Sequence, residues 1–429
     1  MKIPSILSQI SHSSLLRSVA TYGFFTLLNK ALPFLLLPVM TRYLMPDDYG
    51  FVSLFGVAVS FTFVFVGCNM DKAYFKIYYE PDKYNHQVYL GTNCIWVFGS
   101  TLLLFIVILL LKDKLPVFES IPMLWISFIP WIAMTSVIML LVQTVWQVRD
   151  KAFAYGFFQF GRTTTELFIA VLLIACLDMG WRGRISAQIA AGTFFAIIGL
   201  RLIQNKKHIT LAFDKIYLHH SLRYGVPLIP HYLAGLFTVS IDKIFIGSMI
   251  GVLDVGIYAV GDQLASIINL LVTSFDQAYH PWLFRKLSTG SQENKITVVK
   301  VTYIYLIAIT TLTLSFSLFL PVVLNKFIGS KFHGAFEYVF WIALGYAFVG
   351  MYYMVAKYLF FAEKTHLLST ITLCSIPLNI ILNYIFIKLN GALGAAQATA
   401  LTHLLIFITT WYIASKTYPM PWIFYKKTT

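Results

Sequence analysis

Apolar runs of 18 or more residues recur along the whole chain, separated by short clusters of charge, glycine and proline. A run of that length crosses the hydrocarbon of a bilayer as one helix. The pattern predicts about twelve such spans. Six fall at 18–41, 49–69, 88–111, 122–145, 153–177 and 185–203, and six more at 223–249, 256–279, 298–325, 336–361, 367–388 and 392–415. The fold class read from this is all-α, a polytopic membrane protein. The chain before the first span, KIPSILSQISHSSLL, is too polar for the core of a cleavable signal. Ile3, Ile6, Leu7 and Ile10 recur there at helical spacing, which fits a segment lying on the membrane surface or a frayed start.

The polar positions inside the spans are as ordered as the apolar ones. A helix turns about 100° per residue, so spacings of 3, 4, 7 and 11 share a face. In span 7 that face holds His231, Gly235, Thr238 and Asp242; in span 8 it holds Asp262, Ser266, Asn269, Thr273 and Asp276. Span 5 offers Tyr155, Gln159, Arg162 and Glu166, the last two spaced to pair; span 11 offers Thr372, Ser375, Asn379 and Asn383; span 1 offers Tyr22, Thr26 and Asn29 with Lys30 alongside. A single serine or threonine in a membrane helix is ordinary interhelical glue. An unpaired ion at mid-bilayer costs about 3 kcal/mol or more. Several charged stripes therefore predict a wet, polar interior. Lys30, Arg162, Lys243 and Lys357 are candidate contacts for an anion, with snorkelling or local pairing as the plain alternative. Asp242, Asp262, Glu166, Asp276 and His231 are candidates for a coupling ion, H+ or Na+. Tyr346 and Tyr353 share a face with Gly350 and Lys357 and are placed either to stack on a ligand or simply to pack.

The two halves resemble each other. Tyr22-Gly23 followed by Asp48-Tyr49-Gly50 pairs with Tyr224-Gly225 followed by Asp254-Val255-Gly256, at an offset of about 202–206 residues. Gly180 and Gln188 pair with Gly391 and Gln397, and Asp150-Lys151 with Glu363-Lys364, at a slightly larger offset. Six spans per half make a parallel repeat, as in many secondary transporters. Prolines 33 and 38, against 227 and 230, predict an interrupted first helix in each half. The predicted organisation is a surface segment 1–17, an N-lobe 18–203, a linker 204–222, a C-lobe 223–415 and a tail 416–429.

Composition agrees. The chain is 429 residues, 58% hydrophobic and 12% charged, about half the charge of a soluble domain. A net charge of +14 would suit nucleic acid, but in a membrane protein it reads as loop lysines and arginines that set orientation. The side holding both termini carries Lys72, Lys76, Lys83, Arg149, Lys151, Lys206, Lys207 and others. The opposite side carries the smaller set Arg42, Lys112, Lys114, Arg182, Arg184, Lys326, Lys331 and Lys388. Both termini are therefore expected in the cytoplasm. Cys68, Cys94, Cys176 and Cys374 all lie in apolar runs and read as small buried hydrophobes rather than disulfides or metal ligands. No loop exceeds about 20 residues, and no phosphate loop or hydrolase motif occurs. No enzyme, resident cofactor or catalytic residue is expected.

The runs LPFLLLPVMTRYLMPDDYGFVSLFG, VPLIPHYLAGLFTVSIDKIFIGSMIGVLDVGIYAVGDQLASI and NGALGAAQATA carry a family resemblance. The chain resembles bacterial oligosaccharide-lipid flippases (Wzx-type), a branch of the multidrug/oligosaccharidyl-lipid/polysaccharide exporter superfamily. The resemblance implies two six-helix lobes around a central cavity lined by spans 1, 2, 7 and 8. It implies an undecaprenyl-diphosphate-linked oligosaccharide (an O-antigen, capsule or exopolysaccharide unit) moved to the outer leaflet of the bacterial inner membrane by ion-coupled alternating access. Basic cavity residues would meet the diphosphate; Lys30 and Lys243 are placed for it, whereas span 2 has no basic residue before Lys72. Partners implied are the lipid-linked substrate, membrane lipids and other polysaccharide-assembly proteins, not nucleic acid. Two other readings stand beside it: an ion-coupled drug exporter of the sister branch, and a membrane-bound polymerase or ligase, disfavoured by an outer loop of at most about 10 residues. Lys243 lies about 100° round from Asp242, so the two cannot share one face; Lys243 goes either to the cavity edge or to the outer interface.

Overall fold

The computed structural model describes residues 14–80, 82–111 and 122–422. The surface segment predicted before residue 14, the connection with Lys112 and Lys114, and the end of the tail lie outside the described residues. Among the described residues every element is a helix. They are α1 Ser14–Tyr43, α2 Pro46–Gly67, α3 Met70–Ile77, α4 His86–Leu111, α5 Met123–Gln147, α6 Ala152–Val171, α7 Gly180–Asn205, α8 Lys215–Gly225, α9 Ile229–Met249, α10 Val252–Ser288, α11 Gln292–Leu324, α12 Ala335–Phe361 and α13 Thr365–Thr417. Eleven stretches among these residues are long and apolar enough to cross a bilayer. The last of them, in α13, contains two crossings, because Gly391 breaks the helix with φ 61° and ψ −146°. That conformation is open essentially to glycine alone. The count of about twelve therefore holds.

Two predicted interruptions turn out differently. α1 runs unbroken through Pro33 and Pro38. In the second half the chain tightens to a 3-10 turn at Val226–Leu228, and Pro230 falls in the first turn of α9. There its missing N–H would lack an intrahelical partner anyway, so the proline starts a helix rather than breaking one. The cysteines also divide: Cys68 and Cys94 are buried, but Cys176 and Cys374 are exposed on the helix surface, and all four are free. An apolar run in a membrane helix has a lipid-facing side, so residence in the run does not fix burial.

The described chain forms two compact units that divide between Leu236 and Phe237, inside α9. In the first unit α1 packs on α6, α2 on α5, and α7 on both α5 and α6. Its core lies around Tyr74, Tyr89, Leu90, Val142 and Trp146, near the ends of α3, α4 and α5. The segment before α9 belongs to this unit for two reasons. Asn69 donates from its amide to the Gly225 carbonyl at 3.2 Å, and a Cβ on Gly225 would overlap the Cys68 carbonyl. In the second unit α12 packs against α10, α11 and α13. Val260, Leu264 and Ile268 of α10 and Ala343, Ala347 and Val355 of α12 are fully enclosed there.

The internal repeat extends to backbone geometry. Asp150 (φ 55°) and Glu363 (φ 58°) are both left-handed. Each is followed by a lysine whose N–H bonds a carbonyl five residues back, Lys151 to Trp146 and Lys364 to Leu359, both at 2.9 Å. This is the same Schellman-type helix end in each half. Gly180 and Gly391, paired by sequence, both have positive φ at the start of the last crossing of their half.

One close approach yields a controlled test. Gly91 on α4 touches the extended segment after α7: Thr210 N–H donates to the Gln87 carbonyl at 3.1 Å, and a Cβ on Gly91 would overlap the Thr210 carbonyl. Gly99, two turns on, has open space around it. Gly91→Ala should lose about 1–3 kcal/mol of stability. Gly99→Ala on the same helix should be neutral or gain a few tenths of a kcal/mol. Thermal unfolding of the purified protein in detergent compares the two.

Candidate functional site

The first unit has a cavity of about 370 Å3 lined by Thr26, Asn29, Lys30 and Pro33 of α1, Gln159, Arg162, Thr163 and Glu166 of α6, and Arg184 of α7. α1 is held on α6 here by Thr163, whose hydroxyl donates to Asn29 Oδ1 at 2.8 Å, and by the small Gly156, which admits the Phe25 ring. Glu166 and Arg162 sit one turn apart on α6, as the stripe predicted, but their contact is long, Nε to Oε2 at 3.9 Å. The short contact comes from Arg184, whose Nη1 lies 2.7 Å from Glu166 Oε1. Arg162 also donates to the Ser136 hydroxyl at 3.4 Å, while its Nε is buried without a hydrogen-bond partner. Lys30 is exposed along the cavity and has no ion pair among the described residues. Three cations thus face one carboxylate, a formal surplus of two positive charges.

Arg184 was assigned above to an outer loop. α7 begins at Gly180, more than a turn earlier than the apolar run suggests, and that turn carries Arg184 onto the helix. The signal was present in the WRGR run but masked by its own charge.

In the second unit each predicted charge has a partner. Lys243 Nζ lies 2.9 Å from Asp262 Oδ2, with side-chain exposures of 17% and 21%. Asp262 also accepts from the Tyr346 hydroxyl at 2.8 Å. About four helical turns, some 21 Å along the axis at about 1.5 Å per residue, separate this from the other end of the α10 stripe. There Asp276 holds Lys357 of α12 at 3.1 Å. The Lys357 ammonium also lies 5.6 Å from the centre of the Tyr353 ring, a cation–π distance. Tyr346 and Tyr353 are thus engaged with this charge network. One oxygen of Asp276, Oδ1, is buried without a partner.

Asp242 is different. It is buried and held by two hydroxyls: Tyr258 donates to Oδ2 at 2.6 Å, and Thr399 to Oδ1 at 2.7 Å. Thr399 in turn takes an amide hydrogen from Asn379 at 3.3 Å, and Asn379 Oδ1 accepts from Asn383 at 3.2 Å. Asn379 also donates to Thr402 at 3.1 Å. Asn383 Oδ1 is buried without a partner. Among the described residues Asp242 has no cation within ion-pair distance. Asp242 and Lys243 therefore go to different partners, as their 100° separation requires. Tyr258 and Thr399 were not singled out in the sequence; they lie in the GIYAVGDQ and NGALGAAQATA runs, where small residues hid the polar ones. His231, the far end of the span 7 stripe, is exposed, lies in the first unit and has the Tyr232 ring 5.9 Å away.

A helical multi-pass chain of two units with a polar, charged interior has the build of a membrane transporter. The chain belongs to the polysaccharide biosynthesis protein family, whose model matches residues 15–287. It is similar to the Lsg locus putative protein 1 of Haemophilus influenzae, 24% identical over 89% of this chain and 94% of that one. Its fold is similar to the inward-facing form of a multidrug resistance MATE family transporter of the MOP superfamily, with a TM-score of 0.71 at 12% identity over 92% of this chain and 94% of that chain. It is also similar in fold to the lipid II flippase MurJ in an inward closed form, TM-score 0.69 at 14% identity, covering 93% of this chain and 88% of that one.

The Lys243–Asp262 pair is mostly buried, so removing one member strands the other. Lys243→Gln or Asp262→Asn alone should lose about 1–3 kcal/mol, between the values for exposed and buried pairs. The double variant should lose clearly less than the sum. A double-mutant cycle from unfolding in detergent measures this coupling; additive losses would mean that the pair contributes nothing.

Proposed function

We propose that this protein is a flippase for a polyprenyl-diphosphate-linked oligosaccharide, carrying it from the cytoplasmic to the outer leaflet of the bacterial inner membrane. The observation that supports this most is the cationic surplus of the first-unit cavity. Lys30, Arg162 and Arg184 against Glu166 are a poor site for a cationic drug and a good one for a diphosphate. Guanidinium forks match phosphate oxygens in pairs, and the lysine adds a mobile point charge. A diphosphate left bare in hydrocarbon would cost far more than the transfer can tolerate. The family, the lipid II flippase fold and the relative at a Lsg locus favour the same substrate class. On this reading the basic side of the chain, with both termini, faces the cytoplasm, and the protein works beside polysaccharide-assembly enzymes rather than as one.

The coupling ion, a proton or Na+, is assigned to Asp242. Its two hydroxyl donors and the neighbouring Asn379, Asn383 and Thr402 offer oxygens but no cation to neutralise it. A carboxylate so placed can be discharged by a mobile cation and recharged when that cation leaves. Asp262, Asp276 and Glu166 already hold lysine or arginine, which makes them weaker candidates. His231, exposed at the start of α9, has no acidic partner among the described residues with which to share a proton. The drug-exporter alternative draws on the multidrug-transporter fold; an efflux assay on a deletion strain separates it from the flippase reading.

Loss of one charged contact to a phosphate is worth about 1.5–3 kcal/mol, roughly 10- to 100-fold in affinity. Lys30→Ala and Arg184→Ala should each reduce translocation of the lipid-linked oligosaccharide into that range in proteoliposomes, and Lys30→Arg should retain much of it. Normal surface polysaccharide in cells expressing either alanine variant at native level would contradict the assignment. Asp242→Asn should remove the dependence of transport on an imposed proton or Na+ gradient while leaving substrate binding intact. A gradient response equal to that of the unmodified protein would exclude Asp242.

A further inference from the structure

A second cavity in the first unit has another character. It holds about 500 Å3 and runs along the seam of α6 and α7, with Trp146 of α5 also in its lining. Its walls are Phe157, Phe158, Phe195, Ile198 and Leu202 with the small Ala154 and Gly161, and among the described residues its charged lining is Lys151 and Lys206. Lys151 immediately precedes α6 and Lys206 immediately follows α7. The two helices are joined by a short turn at their other ends, so both lysines stand at the same mouth. From there the lining runs inward from Lys206 to Phe195, about 16 Å at roughly 1.5 Å per residue.

We propose that this groove binds a single phospholipid with an anionic headgroup, its phosphate at Lys151 and Lys206 and an acyl chain laid along the aromatic wall. Charge complementarity selects the occupant. No carboxylate lines the groove, in contrast to the cavity with Glu166, and neither lysine has an ion pair among the described residues. The mouth is electropositive beyond these two: His208, in the loop just after α7, has its pKa pushed down by burial and by Arg149, Lys151 and Lys206. The wall is open to the membrane, since Phe157 is exposed and stacks on the exposed Phe153 at 5.7 Å between ring centres. A free phosphate would satisfy the lysines but leave most of this apolar wall uncovered. The site shares no residue with the cavity proposed for the diphosphate and does not depend on the transport reading. Its expected role is to hold the α6–α7 seam to one leaflet.

Native mass spectrometry of the full chain in detergent tests this with phosphatidylglycerol and phosphatidylcholine of identical chains, inorganic phosphate, and a polyprenyl phosphate. A lysine at a lipid surface contributes about 1 kcal/mol toward an anionic headgroup, roughly 5-fold in affinity. Phosphatidylglycerol should therefore bind about 25-fold more tightly than phosphatidylcholine. The Lys151→Gln/Lys206→Gln variant, changed only at exposed positions, should erase that difference. Ile198→Trp, which fills the groove, should weaken both lipids. Equal binding of the two lipids by the unmodified protein would overturn the proposal. So would competition by inorganic phosphate alone, or displacement of phosphatidylglycerol by an equal amount of polyprenyl phosphate, which would make the groove a path for the carrier lipid.

Discussion

An ion carried into hydrocarbon has to be met by a partner, and most of the architecture inside the spans can be understood from that requirement. A lone charge at mid-bilayer costs about 3 kcal/mol or more. The second unit meets the condition by pairing. α10 presents a carboxylate near each end of its polar stripe, and α9 and α12 each bring one lysine to it. Tyr346 adds a hydroxyl to Asp262 and the Tyr353 ring flanks Lys357, while Asp276 Oδ1 keeps no partner. The first unit meets it only in part: Glu166 neutralises one of the cations around it, and the rest of the positive charge faces the cavity.

On the proposed function this asymmetry divides the labour between the units. Lysines already paired with carboxylates have little to offer an incoming anion. A cluster with surplus positive charge and an orphaned guanidinium nitrogen is incomplete without one. Asp242 is the complementary case, a buried carboxylate held by neutral donors, the Tyr258 and Thr399 hydroxyls with the Asn383 amide beside them. Hydrogen bonds from neutral donors favour a carboxylate less than an ammonium does, which is why the proposed coupling ion is assigned there.

The spans and the polar faces were legible in the sequence because both depend on the helical repeat, which the chain carries in its own order. The angle between Asp242 and Lys243 was enough to send them to separate partners. Which acid would meet Lys243 was not legible. Asp262 and Asp276 lie on the same face of α10, and the choice between them depends on the axial offset of α9 against α10, a property of packing. Arg184 was missed because a charged first turn looks like loop until the helix is seen to start at Gly180. The break in α13 was visible as a glycine, but not that the helix would otherwise run on. The repeat was detected from a handful of matched residues, and its strongest support, the identical helix ends at Asp150 and Glu363, lies in backbone angles that no residue type reveals.

The central claim is that the first unit's unpaired positive charge exists to receive a lipid diphosphate. Photo-crosslinking with a polyprenyl diphosphate bearing its reactive group beside the phosphates, followed by peptide mapping, tests it most directly. The account predicts labelling of α1 and α6 around Lys30 and Arg162, and loss of that labelling when the probe is the matching polyprenyl alcohol. Equal labelling by the alcohol, or labelling concentrated on α9 and α10, would contradict it.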